Sequence, residues 1–337
     1  MWRRILCGLM VCAGLAMGIL SLGKEEETVL LTQEEKNERV MVREVRFGEG
    51  AVEKEEEEGV YITVFDAERG ETREAFLEDY LVNVLAGEMP AGYETEALKA
   101  QTVAARTYIV RKMEGNGCRT RADADVCTDS RCCMAYWDEK TMKERWGSEY
   151  EAYRRKLDAA VRETEGEILC YDGEPIEALF HASSSGFTED AVAVWGEAYP
   201  YLKSVESGEK AEKTEQVLSK KKLVEVLNAA FPKAKCTEGG IEKQLEIVSV
   251  SGSGRVEQVR VGKTTTTGKR LRELLGLRST AFAVGFSGEN AVFTVSGYGH
   301  GVGLSQLGAQ TMAKEGADYR EILLHYYSGV EITGMRE

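Results

Sequence analysis

Apolar residues recur at alternating or helical spacing from about residue 59 onward, and this pattern predicts a mixture of strands and helices. Residues 60–65 alternate and are followed by the turn sequence ERGE, which predicts a first β-hairpin. From Leu77 the apolar side chains repeat at helical spacing as far as Pro90, so we expect an amphipathic helix that ends before the proline. A second helix is predicted for residues 94–113, where small residues on one face would allow close packing against a neighbour.

The rest of the chain mixes helices and strands without an internal repeat. Residues 115–137 form a looser segment that contains cysteines. Further helices are predicted for residues 138–165, 213–233, 267–276, 304–316 and 319–329, and strand pairs for residues 168–190, 246–262 and 281–301. Because regular βαβ repetition is missing from this order, we predict an α+β fold of mixed helices and antiparallel hairpins, arranged in two lobes.

The N-terminus has a different composition. Ile5 to Leu22 is uncharged and follows two arginines, and its 18 residues are just long enough to span a bilayer. Since the small-residue pattern of a cleavage site does not follow, we favour an uncleaved anchor over residues 1–23 rather than a signal peptide. The arginines would stay in the cytoplasm and place the rest of the chain outside. Residues 24–58, with 13 acidic and 6 basic side chains, predict a solvated stalk before a globular domain at 59–337.

Composition narrows the class of partner. The chain is 43% hydrophobic and 30% charged, as in an ordinary globular protein, and its formal net charge is −14. An acidic ectodomain argues against binding to nucleic acid or to anionic lipid headgroups. A substrate that is neutral along its binding edge fits this charge better.

Glu88 is the carboxylate that the pattern singles out. It lies at the end of the first predicted helix, where the helix dipole disfavours its ionised form, and Leu85 and Met89 would add desolvation. A raised pKa would keep a proton available for a leaving oxygen near neutral pH. A solvated glutamate at a helix end is the plain alternative. Hydrolysis of a glycoside would need a second carboxylate, for which Glu94 and Glu96 are the nearby candidates, whereas an intramolecular sugar hydroxyl would not.

Five sequence blocks occur in an order that resembles one known family. They are GEMP at 87–90, EALKAQTVAARTY at 96–108, FHASSSGFTE at 180–189, LRSTAF at 277–282 and GYGHGVGLSQLGAQ at 297–310. Together they resemble the stage II sporulation protein D family, which includes the amidase-enhancer proteins. The similarity runs from about Val60 to the C-terminus, and an anchor followed by a stalk is also expected of the family.

The resemblance implies a function. Members of the sporulation branch are lytic transglycosylases that cleave peptide-free peptidoglycan glycan strands to 1,6-anhydromuramyl ends, with Glu88 as the catalytic acid. The family implies action during engulfment in a spore former, in the mother-cell membrane facing the intermembrane space. It also implies partnership with a peptidoglycan amidase and a second membrane protein as scaffold. A non-catalytic glycan binder that activates an amidase is the rival, and a hydrolytic muramidase is a third possibility.

The same blocks supply candidate groove residues. A phosphate-binding role for the glycine-rich loop fails because no GK[ST] follows it, whereas glycines would let backbone amides approach a sugar chain. The candidate substrate-binding residues are Arg106, His181, Ser184, Thr188, His300, Ser305 and Gln306. Each has a structural alternative: a tight turn with a buried histidine, the end of a strand, or for Arg106 an ordinary ion pair. Trp195, Tyr199 and Tyr201 could stack on sugars or belong to the core.

The cysteines predict a metal site. Cys7 and Cys12 fall in the anchor, and the sequence CTDSRCC at 127–133 has the look of a chelating loop. Some members of the family resemble zinc proteins with the pattern Cys-x4-His-Cys, and here Cys132 stands in place of the histidine. The resemblance implies a structural zinc held by Cys127, Cys132 and Cys133, with Cys118 as one candidate for the fourth ligand. A Cys118–Cys127 disulfide remains the alternative.

Overall fold

The computed structural model describes residues 59–210 and 213–335. The predicted anchor at 1–23, with Cys7 and Cys12, and the predicted stalk at 24–58 lie outside these residues. Within the described ranges, none of the helices combines the length and the apolar character that crossing a bilayer requires.

Helices and short strands alternate irregularly through the described residues. The strands are β1 Tyr61–Asp66, β2 Glu71–Phe76, β3 Val126–Cys127, β4 Glu167–Tyr171, β5 Glu174–Pro175, β6 Phe180–His181, β7 Lys213–Ser219, β8 Leu245–Val250, β9 Val256–Val261, β10 Thr264–Thr267, β11 Phe282–Ser287, β12 Asn290–Ser296, β13 Leu304–Ser305 and β14 Glu331–Gly334. The helices are α1 Leu77–Glu88, α2 Thr95–Glu114, α3 Glu139–Trp146, α4 Tyr150–Arg162, α5 Ala191–Trp195, α6 Lys220–Ala230, α7 Ile241–Gln244, α8 Gly268–Leu275, α9 Gln306–Lys314 and α10 Tyr319–Tyr326.

The strands form several small sheets rather than one large one. Their orders are β2-β1-β3, β10-β9-β8, β11-β12-β7, β13-β6 and β14-β4-β5. Most pairs are antiparallel, whereas β1–β3 and β6–β13 are parallel. The predicted α+β class and its antiparallel hairpins are therefore confirmed.

Buried apolar side chains form two main clusters. The larger surrounds α2, which packs against α1, α4, α9 and α10. Its face of small residues, including the fully buried Ala97, Ala100 and Ala104, permits this close packing, as the sequence predicts. The second cluster joins α6 and α8 to the sheets of β7 to β12 around residues such as Leu223 and Phe293. The predicted two-lobed arrangement and glycan groove stay predictions.

The single long helix predicted for residues 138–165 is wrong, because the segment contains two helices. Asp138 begins α3 by accepting a hydrogen bond of 2.8 Å from the backbone N–H of Thr141. Gly147 ends α3 with a φ of 51°, a conformation that residues with a side chain rarely adopt. A short 3₁₀ turn, Gly147–Glu149, then leads into α4. The apolar spacing continues across the break and does not reveal it.

Two further boundaries differ from the sequence expectation. The helix predicted for residues 213–233 begins only at Lys220, because residues 213–219 form β7 and pair with β12. In residues 168–190 the predicted strand pair is reduced to a short hairpin of β4 and β5, because β5 ends at Pro175. The next strand, β6, belongs to another sheet, where it pairs with β13. The remaining predicted helices and hairpins are present.

Candidate active site

Glu88 is the last residue of α1. The helix buries Leu81 and Leu85 in the larger core, and Met89 leaves it with an extended backbone (φ −125°, ψ 147°). This change of direction directs the chain into Pro90 and leaves the Glu88 carboxyl at the helix end, mostly buried. The sequence pattern therefore correctly predicts its position.

Two donors from distant parts of the chain hold the carboxyl group. The backbone N–H of Ala135 donates to Oε1 at 2.6 Å, and Nε2 of Gln306 donates to Oε2 at 3.4 Å. Gln306 opens α9, immediately after Ser305, whose hydroxyl caps the helix through the backbone N–H of Gly308. The side chain of Gln306 also donates to Oε1 of Gln101 on α2 at 3.4 Å. Of the candidate residues in the glycine-rich block, Gln306 is therefore hydrogen-bonded to the Glu88 carboxyl group.

Burial raises the pKa of Glu88, and the hydrogen bonds from Ala135 and Gln306 oppose that rise. The raised pKa that the sequence predicts is confirmed, with desolvation as the main cause. A carboxyl group in this state retains its proton nearer neutrality than an ordinary glutamate does, as a general acid requires.

An open cleft of ≈ 670 Å³ adjoins Glu88. Its lining residues are Ala86, Gly87, Glu88, Met89, Pro90, Ala91, Gly92, Trp137, Arg145, Trp146 and Tyr153. The volume lies within the range of ligand-binding pockets. The walls are apolar or aromatic, and Glu88 and Arg145 are the two charged residues of the lining.

The aromatic wall consists of residues that the sequence analysis missed. The ring of Trp146 lies 6.1 Å from that of Trp137 and 5.5 Å from that of Tyr153, measured between centroids. Of the three aromatic residues named from the sequence, Trp195 lies against His300 and Tyr201 is buried, and none of the three lines the cleft. Two tryptophans within residues 137–146 were the available signal.

The candidate second carboxylates face elsewhere. Glu96 pairs with Lys99 at 2.9 Å and accepts a hydrogen bond from the backbone of Tyr319. Glu94 is exposed at the start of α2. Among the described residues that line the cleft, Glu88 is the single carboxylate.

His300 lies in a polar cluster outside the cleft lining. Its Nδ1 accepts a hydrogen bond of 3.1 Å from the backbone N–H of Val302, and its ring lies 5.7 Å from that of His181. Burial, reinforced by the nearby charge of Arg255, lowers the pKa of His300 to about 4. Both histidines are therefore neutral at physiological pH, since burial also holds the pKa of His181 well below its usual value.

Three of the predicted substrate-binding residues are buried and serve the fold. The hydroxyl of Ser305 and the backbone N–H of Ser184 both donate to Oε1 of Glu209 at 2.7 Å. The hydroxyl of Thr188 accepts from the backbone N–H of Val205 at 2.8 Å. Ser184 and Thr188, like Ser305, have no exposed surface with which to contact a glycan.

Arg106 also has a structural role in the arrangement observed. Its guanidinium is fully buried and donates to both oxygens of Glu78, at 2.8 and 2.5 Å. Further donation reaches the backbone carbonyls of Glu167 and Val161. Its hydrogen bonds do not reach Glu88, and Arg106 is not among the residues that line the cleft, so the ion pair is observed and the predicted role in substrate binding stays a prediction.

Four cysteines form a compact thiol cluster. The Sγ atoms of Cys118, Cys127, Cys132 and Cys133 all lie within 4.8 Å of one another. From Cys118, the distances are 3.7 Å to Cys132 and 3.8 Å to Cys133. Four sulfurs bound tetrahedrally to zinc at 2.3 Å would be about 3.8 Å apart, so the cluster could bind a metal ion such as zinc. The thiols are free, and the alternative Cys118–Cys127 disulfide is not formed.

A short stretch of chain links the thiol cluster to the residue that donates a hydrogen bond to Glu88. Cys133 precedes Ala135, the backbone donor to Glu88, by two residues, and Trp137 of the cleft wall follows two residues later. Asn83 of α1 fixes this segment from the other side, because its side chain donates to the carbonyl of Trp137 at 2.6 Å and its own carbonyl accepts from the Trp137 N–H. The segment that follows the cysteine loop is therefore hydrogen-bonded both to Glu88 and to Asn83 of α1.

The site therefore combines a mostly buried carboxyl group of raised pKa with an aromatic-walled cleft. Residues 66–171 match the SpoIID model, described as stage II sporulation protein. Stage II sporulation protein D of Bacillus subtilis (strain 168) is 38% identical over 259 residues, which cover 76% of this chain and 74% of that protein. The protein of the same name from Bacillus amyloliquefaciens is 33% identical over 329 residues, covering 98% and 94%. The chain belongs to the SpoIID family.

A more distant relative carries a different name. The amidase enhancer of Bacillus subtilis (strain 168) is 29% identical over 310 residues, which cover 75% of this chain and 40% of that protein. The resemblance inferred from five sequence blocks is thus confirmed for both branches.

Proposed function

We propose that this protein is a lytic transglycosylase that cleaves peptide-free peptidoglycan glycan strands. The observation that carries the proposal is the position of Glu88, a mostly buried carboxyl with a raised pKa at the edge of a cleft walled by Trp137, Trp146 and Tyr153. Aromatic faces of this kind offer stacking surfaces for sugar rings. Membership of the SpoIID family supports the same assignment.

One carboxyl group suffices for this reaction. Protonated Glu88 donates its proton to the glycosidic oxygen as the bond from that oxygen to the muramyl C1 breaks. The 6-hydroxyl of the same muramyl residue forms the new bond to C1, and its proton passes to the Glu88 carboxylate, which restores the acid. Water is not consumed, so a second carboxylate to activate it is not needed. The cleft lining, with Glu88 as its single carboxylate, fits this route better than hydrolysis.

Gln306 and Ala135 have positioning roles in this scheme. Their hydrogen bonds fix the two carboxyl oxygens and keep the pKa of Glu88 from rising as far as burial alone would drive it. The acid must give up its proton and take one back in each cycle. Donors that moderate the pKa serve both steps.

The thiol cluster is proposed as a structural zinc site. Cys118, Cys127, Cys132 and Cys133 would supply all four ligands, and a tetrahedral site closed by four thiolates has no open position for substrate or water. Its contribution would be to order the loop that leads to Ala135.

The biological setting is inferred from the names of the relatives. Two of them are named stage II sporulation protein D, and we infer that this protein acts in engulfment during endospore formation. The uncharged stretch from Ile5 to Leu22 would anchor it in the mother-cell membrane, with residues 59–337 in the intermembrane space. A peptidoglycan amidase that removes stem peptides and a membrane scaffold protein are the proposed partners.

Incubation of the purified protein with peptide-free glycan strands, followed by mass spectrometry of the products, tests the proposal. Products lighter than hydrolysis products by one water molecule are expected from the wild type, and Glu88→Gln is expected to give none. Glu94→Gln is the matched control, because Glu94 is exposed and does not line the cleft. It should cleave like the wild type.

The other outcomes are equally informative. Reducing-end products would mean that water is the nucleophile and would replace the proposal by hydrolysis. Glycan binding without cleavage, combined with stimulation of an amidase, would favour the activator role carried by the name of the distant relative. That stimulation should then survive in Glu88→Gln.

A further inference from the structure

Arg145 is an exposed cation on the wall of the Glu88 cleft. It belongs to the last turn of α3, and its guanidinium carbon lies 4.4 Å from the centroid of the Trp137 ring. Stacking on an indole face restricts the long side chain and directs it along the cleft wall. The guanidinium is therefore partly preorganised for a ligand.

Arg145 has no acidic partner in the part of the chain that the structure describes. Around it on α3, Glu144 faces Lys140 at 3.9 Å and Glu139 faces Lys143 at 2.5 Å. Within residues 59–210 and 213–335, no carboxylate lies within ion-pair distance of Arg145. A position at a helix C-terminus suits a cation, but that preference does not require the cation to lie over a tryptophan in a cleft.

The two charges of the cleft lining suggest different tasks. Glu88 is mostly buried, and burial raises its pKa, whereas the guanidinium of Arg145 is exposed. A guanidinium beside aromatic walls suits a saccharide that carries a planar anion, since its paired N–H groups match a carboxylate. Phosphate would satisfy the charge as well, but a carboxylate is the anion that the proposed substrate carries.

Muramic acid carries a lactyl carboxyl group close to the bond that is cleaved. In intact peptidoglycan this group is an amide, because the stem peptide is attached through it. Removal of the peptide leaves a free carboxylate. A cation at this place would therefore distinguish strands that have lost the peptide from strands that retain it.

We propose that Arg145 binds the lactyl carboxylate of muramic acid and so makes the cleft selective for peptide-free strands. This inference rests on the proposed function, since it takes peptidoglycan glycan as the substrate. Arg145 would contribute specificity rather than chemistry, because Glu88 alone performs the proton transfers.

The test compares two ligands that differ in this one group. Peptide-free strands are used as such and after conversion of their carboxyl groups to methyl amides, which removes the charge and adds little bulk. Binding is measured by tryptophan fluorescence on the Glu88→Gln protein, and kcat/KM is measured on the active protein. With Arg145 present, the affinity and the kcat/KM for carboxylate strands should each exceed those for methyl-amide strands about tenfold. This is the size expected of one charge-assisted hydrogen-bonded pair.

Arg145→Gln should abolish this preference by weakening the carboxylate strands alone. The matched control is Arg155→Gln, which removes the same charge from an exposed position on α4 outside the cleft lining and should keep the preference. Equal binding of both strands by the unsubstituted cleft, or a preference that survives Arg145→Gln, overturns the inference. The binding readout decides this even if no strand is cleaved, a result that would overturn only the proposed function.

Discussion

The backbone N–H of Ala135 donates a hydrogen bond of 2.6 Å to Oε1 of Glu88. One short segment, residues 133–137, therefore includes a thiol of the cysteine cluster, the donor to the acid and an aromatic wall of the cleft. The geometry of the proposed catalytic group depends on a loop that lies about 45 residues further along the chain. Several measurements can test this dependence.

Gly87→Ala is expected to damage the site from the side of α1. A Cβ at Gly87 would lie 2.9 Å from the carbonyl carbon of Ala135 and 2.9 Å from the nitrogen of Tyr136, so this segment would have to shift. We expect a loss of about 1–3 kcal/mol in the free energy of unfolding, as for other overpacked sites. We also expect a fall of at least about tenfold in kcat/KM, because Ala135 positions the acid.

Urea unfolding and glycan-cleavage rates measure these two effects. Gly285→Ala is the control, since a Cβ there meets no atom within 4 Å. Wild-type activity and stability in Gly87→Ala would show that the contact between α1 and residues 135–136 does not position Glu88.

The thiol cluster predicts one bound zinc ion per chain. Cys127→Ser and Cys133→Ser should lose the metal and lower the free energy of unfolding by several kcal/mol, because binding of a structural metal is coupled to folding. Elemental analysis and thermal unfolding of the wild type and both variants measure this. Cys236→Ser serves as control, since Cys236 is a buried thiol outside the cluster. Undetectable metal in the wild-type protein would refute the site.

The Glu88 side chain should lower the free energy of unfolding at neutral pH relative to a glutamine at the same position. Its pKa is raised in the folded state, so the folded state binds this proton more tightly than the unfolded state. The resulting stabilisation is complete below the ordinary glutamate pKa of about 4.3 and is lost as the pH rises through the raised value. Glu88→Gln should therefore be more stable than the wild type near pH 7, and this advantage should disappear in acid.

Urea unfolding at several pH values tests this sign. The exposed Glu94→Gln provides the comparison, because it makes the same substitution at a position outside the cleft lining. A Glu88→Gln protein that is less stable than the wild type at neutral pH would contradict a raised pKa.

Gln306→Leu should shift the pH dependence of cleavage. Its amide donates to Oε2 of Glu88 and lowers the pKa, so its removal should raise that pKa further. Because Glu88 acts first as an acid, kcat/KM falls as the pH rises through its pKa, and the alkaline limb should move to higher pH. Gln310→Leu, on the same helix but bonded to the backbone of Glu94, should leave the limb in place. An unshifted limb in Gln306→Leu would show that this hydrogen bond does not tune the acid.

Arg106→Leu should affect folding rather than substrate binding. Removing one partner of a buried ion pair typically costs about 3–5 kcal/mol, and Glu78 would lose both of its bonds to the guanidinium. Urea unfolding should show this loss, and the double variant Arg106→Leu with Glu78→Leu should recover part of it. The KM of the folded fraction should equal that of the wild type. A raised KM with unchanged stability would instead support a contact with the glycan.

Local patterns in the sequence predicted much of the fold. The helix ending at Glu88, the small-residue face of α2 and the hairpins β8–β9 and β11–β12 are all readable from periodicity and turn residues. The predicted boundaries of helices and strands were wrong where the spacing of apolar residues carries no information about them. Gly147 interrupts a continuous apolar stripe, and residues 213–219 gain their strand from pairing with β12 rather than from their own pattern.

The candidate site residues also divide into those recognisable from local sequence and those whose surroundings depend on tertiary structure. Glu88 and the cysteines stand out because their chemistry is visible in a short stretch of chain, and the fourth cysteine, Cys118, was named as a candidate ligand before the structure placed it in the cluster. Arg106 and Ser305 occur in equally distinctive blocks, yet both are buried and bond to acidic side chains. Their hydrogen bonds to Glu78 and Glu209 satisfy buried polar groups, and contact with a substrate stays a prediction for both.

The sequence by itself determined the position of Glu88 at a helix end and the close spacing of Cys127, Cys132 and Cys133 in one loop, because each depends on neighbours within a few residues. Tertiary structure alone decided what surrounds the acid. Ala135 and Gln306 reach Glu88 from 47 and 218 residues away, and Trp146 and Arg145 line its cleft only because α3 ends beside α1. Such contacts depend on how distant elements pack, and the spacing of residues along one chain does not encode them locally.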